Sequence, residues 1–200
     1  MTINPYESPL HPSERIDRPT PWWMQGIQFC GLAVAVSITL GALASALNGW
    51  VCPEYFILVM RWPEDSNIWL RSILQGMLEG FVIGLVLSVA FFGVGSLLTG
   101  FRLTFGRAAR YLAAIVIAAV GSAVGAGLIL SQVDSIRAVV LYSVPGPVTP
   151  SPSFGWVAGS ISGLEQGGAL AALVALIVLV VRDWRKIRPV AADAKKVAAD

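Results

Sequence analysis

Residues 75–100 read QGMLEGFVIGLVLSVAFFGVGSLLTG. As a helix these 26 residues are about 39 Å long, more than the roughly 30 Å hydrocarbon core of a bilayer. They carry a single charge, Glu79, near the start. Gly76, Gly80, Gly84 and Ser88 recur at four-residue intervals, so they share one helix face. A stripe of small residues on a lipid-embedded helix lets a neighbouring backbone approach closely, which is the main source of helix association where lipid removes the hydrophobic drive.

Three other stretches repeat this character. The predicted spans are residues 24–47, 73–99, 111–130 and 156–181. Trp22, Trp23 and Trp50 flank the first span, where amphipathic rings mark membrane interfaces. Small residues recur in it at Ala33, Ser37, Gly41 and Ser45. The third span holds Gly121 and Gly125, and the fourth holds Gly159, Gly163 and Gly167, all four residues apart and all expected to pack helices. Composition agrees: 56% hydrophobic residues, 13% charged residues and a mean hydropathy of +0.71 do not describe a soluble chain. The expected fold is all-α, a polytopic membrane protein of four transmembrane helices.

Residues 1–21 hold five prolines and no apolar run, which predicts a flexible tail. Within it, Asn4-Pro5-Tyr6-Glu7-Ser8-Pro9 resembles the NPYxSP opening of many uncharacterised small membrane proteins of planctomycete bacteria. The resemblance covers six residues; it implies a bacterial source and carries no activity. Residues 22–182 form the transmembrane domain, and residues 183–200 a basic tail.

Lysine and arginine are distributed unevenly around the spans. Eleven of the fourteen lie in the two tails and in the turn bearing Arg102, Arg107 and Arg110, against Arg61, Arg71 and Arg137 on the other side. The positive-inside bias therefore predicts both termini in the cytoplasm of a bacterium and both longer loops outside, with the chain in the inner membrane. The net charge of +2 gives no reason to expect nucleic acid as a partner.

Each half of the chain runs through a span, a short apolar run (residues 55–60 and 138–144), proline, and then a tryptophan, Trp69 or Trp156, leading into the next span. Duplication of a two-helix hairpin explains this pattern, with the copies related in parallel by an axis along the membrane normal. Residues 55–60 are too few to cross a bilayer. A strand or an interfacial segment is expected there, and the two runs are candidates for a two-stranded cap. Ser66 is the expected N-cap of the second span.

Leu-Glu follows each tryptophan after eight or nine residues, giving Glu79 and Glu165, the charges well inside the spans. A carboxylate at such depth must be paired, protonated or solvated. Two roles stay open. They are structural acceptors, with Arg71 or Arg137 reaching over to neutralise them, or they form an ion or proton site where the halves meet, with Ser72, Gln75, Ser162 and Gln166 as nearby polar lining.

No GxSxG, HExxH, P-loop or GxGxxG in context is present, and the one histidine, His11, lies in the tail. Cys30 and Cys52 are 22 residues apart and form no metal spacing. The expectation is a non-catalytic protein without metal or cofactor: a scaffold, assembly or accessory subunit packed in the lipid bilayer against other membrane subunits or copies of itself. The alternative is a small oligomeric ion or proton conduit using Glu79 and Glu165.

Overall fold

A computed structural model of the chain describes residues 20–133 and 151–197, with side chains through Trp184. Five helices occur among them: α1 Trp22–Val51, α2 Pro53–Met60, α3 Ile68–Leu98, α4 Phe105–Gln132 and α5 Pro152–Val197. No strand occurs among the described residues. Helices α1, α3 and α4, with the Pro152–Trp184 part of α5, are long and apolar enough to cross a membrane. Apolar side chains such as Ile27, Leu43, Val86 and Leu173 cover their outer faces, the arrangement of a chain whose solvent is lipid.

Two pairs of helices carry most of the packing, α1 against α3 and α4 against α5. Glycine is why each pair closes. A Cβ on Gly41 would strike the Gly76 carbonyl, one on Gly76 would strike the Gly41 carbonyl and the Ser45 hydroxyl, and one on Gly80 would strike the Ser37 carbonyl. In the other pair, Gly159 lies against the Ala126 carbonyl, Gly163 against the Ser122 carbonyl and Gly167 against the Ser122 side chain. Gly84 completes the first seam against Ser37 and Val34. The expectation for Gly121 and Gly125 needs correction, because a Cβ at either meets nothing within 4 Å. Both are rotated off the α5-facing side of α4, whose seam runs instead through Ser122, Ala126 and Gly127.

In the connection between α1 and α3, of the two forms expected for residues 55–60 the strand is not the one found. Residues 55–60 are helical rather than extended, because Pro53 opens a helix whose lack of an amide hydrogen costs nothing at that position. The second run, residues 138–144, lies outside the described residues. Arg61 ends α2 in the left-handed region with φ of 55°, and Trp62 folds back so that its ring stacks on Phe56 at 5.3 Å. The cap of α3 is Asn67, whose side chain accepts from the Leu70 amide at 3.0 Å. Ser66, one residue earlier, donates instead to the Pro63 carbonyl.

Two buried clusters tie the helix pairs together, one at each end of the bundle. At the α2 end, Cys52, Tyr55, Phe56 and Ile68 pack on Phe154, Val157 and Ala158 of α5. At the other, Phe29, Phe91 and Phe92 pack with Leu103, Ala108 and Leu179. Polar links reinforce each end. Ser160 donates to the Asn48 amide oxygen at 3.0 Å, and both residues are buried. At the opposite end the Phe105 amide donates to Gln25 at 2.9 Å, closing the start of α4, and Arg107 makes a two-pronged pair with Asp183 at 2.6 and 3.0 Å. Arginine was expected only as a turn residue here. The helix α4 begins at Phe105 and carries Arg107 on its first turn.

Candidate functional site

Between the two end clusters the helix pairs leave a cleft with a volume of about 120 Å³. All four long helices line it. Its walls are apolar or small: Phe29 and Leu40 from α1, Ile83 and Phe91 from α3, Ile115 from α4, Ala172 from α5. From Gly76 to Phe91 it follows α3 for about 22 Å, at about 1.5 Å per residue.

Glu79 and Glu165 both line this cleft, one from each helix pair. They reach it because each sits beside a seam glycine. Glu79 precedes Gly80, which faces α1, and Glu165 stands two residues after Gly163, which faces α4. A helix advances about 100° per residue, so Glu79, one position from its seam glycine, points to the flank, while Glu165, about 200° round from Gly163, points away from α4 and meets the cleft only at its rim. Glu79 Oε1 accepts from Gln75 Nε2 at 2.6 Å and is half-buried, while Glu165 is exposed at the rim.

No cation pairs with either carboxylate among the described residues. Arg107–Asp183 is the ion pair there, at the far end of the bundle, and Arg71 is exposed without one. Arg137 lies outside the described residues. Of the expected polar neighbours, Gln75 holds Glu79, Ser72 is fully buried and donates to the Trp69 carbonyl, and Ser162 and Gln166 are exposed and do not line the cleft.

The polar lining comes from α1 instead. Ser37, Ser45 and Asn48 line the cleft, and so does Ser88 of α3. Asn48 and Ser88 make hydrogen bonds to Ser160 and to the Leu85 carbonyl. Ser45 is 9% exposed, and its hydroxyl has no hydrogen-bond partner among the described residues. In the sequence Ser37 and Ser45 read as packing positions. Asn48, the one amide at the end of an otherwise apolar run, was the signal for a polar contact at this level.

Tyr55 of α2 stands above the carboxylates. Burial raises its phenol from the ordinary value, and the negative charges of Glu165 and then Glu79 raise it further, so one hydroxyl feels both acids. Its ring lies 5.2 Å from that of Phe154. Burial likewise raises the Cys52 thiol, helped by its hydrogen bond to the Glu54 carboxylate at 3.2 Å. Cys30 and Cys52 are both free. No group of three or more metal-ligating side chains occurs among the described residues.

Comparison with protein families, curated proteins and solved structures finds no match. The site is therefore read from its own chemistry.

Proposed function

We propose that the protein is a small membrane carrier or conduit for cations, with Glu79 and Glu165 as its binding groups. One observation carries this reading: the two carboxylates, one from each helix pair, line the same cleft, and no cation among the described residues neutralises them. A carboxylate held in apolar surroundings must gain a proton or a counter-ion, and a pair facing one space raises that demand. If the roughly 46 Å of α3 is centred on a 30 Å core, Glu79 lies about 8 Å inside the hydrocarbon boundary. The lysine and arginine distribution supports an orientation in a bacterial cytoplasmic membrane with both termini inside, and the matching α1/α3 and α4/α5 pairs support two parallel-related hairpins. No catalytic role is part of this reading.

The test is flux into liposomes holding purified protein, under an imposed proton or cation gradient, with Glu79→Gln and Glu165→Gln alongside wild type. Flux that disappears in both variants is expected. Wild-type protein that is folded yet carries nothing above empty liposomes would overturn the reading.

A second reading, the scaffold or accessory subunit, has its own observation. Gly121 and Gly125 have open space where a Cβ would stand, off the α5-facing side of α4, and Gly31 and Gly93 have it in an open groove between α1 and α3. Such faces accept another helix closely, from a second copy or a different membrane protein. Leucine at Gly121 and Gly125 would then disperse the assembly while leaving the monomer folded, which cross-linking in native membranes measures.

A further inference from the structure

The cleft's shape and lining narrow the cation. Resting on the carrier reading above, we infer that the cleft binds a primary alkylammonium, its charged head between Glu79 and Glu165 and its chain along the apolar walls towards Phe29 and Phe91.

Shape comes first. About 120 Å³ spread over about 22 Å of helix is a slot, not a chamber. An engineered cavity of about 150 Å³ takes the compact ring of benzene. The same order of volume drawn out along a helix suits a linear chain instead. The walls along that length are phenylalanine, leucine, isoleucine and alanine, which solvate methylenes and nothing polar.

Coordination comes second. Calcium takes six to eight oxygens and magnesium near-ideal octahedral geometry with retained water. The slot presents two carboxylates and a few hydroxyls set in hydrocarbon, too few oxygens for either ion. A bare proton would need the acids and no slot. An ammonium head has three N–H donors and no acceptor. Glu79 and Glu165 supply two acceptors, and Ser45 supplies the third. Ser45 is 9% exposed as a residue and lines the slot, and its hydroxyl has no partner among the described residues. Unlike the enclosed, unpartnered hydroxyls of Ser96 and Tyr111, the Ser45 oxygen is not fully enclosed, so it stands free to accept from a donor that enters the slot.

The seat for the head is made by packing on both sides. Ser45 is pressed against Gly76, three residues before Glu79, and Asn48 is tied to Ser160, five residues before Glu165. These contacts hold the three acceptors at one level of the bundle. A free amine and the headgroup of an aminophospholipid both present this chemistry.

The experiment measures binding of labelled hexylammonium to the full-length protein in phosphatidylcholine nanodiscs, with empty nanodiscs subtracted. Hexanol, which has the same chain without the charge, is the control. Saturable binding is expected, weakened about tenfold or more by Glu79→Gln or Glu165→Gln and by exchange of the ammonium for hexanol, as suits loss of a charge-assisted hydrogen bond. Ser45→Ala should weaken it by a smaller factor, and Glu165→Asp, which keeps the charge, should retain it and show that the Gln variants fail in chemistry rather than folding. Adding phosphatidylethanolamine separates the sources: competition points to the lipid head, and unchanged affinity points to the free amine. Hexanol binding as well as hexylammonium, or variants binding as well as wild type, would overturn the inference. Flux of protons or alkali ions without hexylammonium binding would sink it while leaving the carrier reading standing. Saturable binding with no transport would keep it and remove the carrier.

Discussion

Arg107 and Asp183 show how much one pair of side chains can do in a membrane bundle. They are 76 residues apart in the chain, largely buried, and joined by two short charge-assisted bonds between the start of α4 and the far end of the membrane-spanning part of α5. Arg107→Ala leaves Asp183 without its cation and should cost about 1–3 kcal/mol, as loss of a hydrogen bond to a charged group does. Asp183→Asn, which keeps the shape, should cost less. Thermal unfolding in detergent checks both, and equal losses would argue that the charge is irrelevant. Nothing in the sequence linked these two, since Arg107 sits among three arginines and Asp183 inside a basic cluster. Glu79 and Glu165 were legible because a charge interrupting an apolar run stands out. Their convergence on one cleft was not, since it depends on the angle each seam glycine imposes.

At the level of elements, the seams follow from repeated small residues, and the difference between one glycine and another follows from rotation about the helix. Gly163→Leu drives a side chain into the Ser122 carbonyl and Ala123, so α4 and α5 should separate and detergent-solubilised protein should lose its compact form. Gly125→Leu, on the same pair, should leave monomer stability within about 0.5 kcal/mol, the usual range for surface changes. Size-exclusion profiles of the two variants would separate a packed position from an open one. Four-residue spacing alone cannot, because Gly121 and Gly125 satisfy it as fully as Gly159, Gly163 and Gly167.

The short helix α2 makes a different prediction. Cys52 and Tyr55 both have acid forms favoured by burial, so the folded state holds their protons more tightly than the unfolded chain. Their contribution is intact below the unfolded thiol value of about 8.5 and is lost progressively as pH rises beyond it. Melting temperature should fall above about pH 9, and Cys52→Ser with Tyr55→Phe together should flatten that fall. A pH profile unchanged in the double variant would show that neither group is responsible. The helical form of residues 55–60 was the element least legible beforehand, as six apolar residues carry no period that distinguishes strand from helix.

Taken whole, the molecule is two tightly seamed helix pairs fastened to each other at their ends. Asn48–Ser160 and the Tyr55 cluster close one end, and Gln25, Arg107–Asp183 and the phenylalanine cluster close the other. Spin labels across a seam, on α1 and α3, should give narrow distance distributions, and labels across the cleft, on α3 and α4 at mid-depth, broader ones that narrow when a ligand fills it. Pulsed electron resonance measures both, and equal widths would count against any independence of the pairs. Four spans were readable from length and hydropathy alone. The cleft was not, because it exists where packing is missing, and no residue type encodes a gap.

A buried cluster backs each end of the cleft, and Glu165 stands exposed on its rim. The proposed alkylammonium would enter the cleft from the acyl phase beside the protein, having already left water. Each added methylene then improves affinity about fourfold when free ligand is counted in buffer, yet changes nothing when it is counted per mole of lipid. On the proposed reading the membrane would do the collecting, and the protein would sort by charge what had been collected.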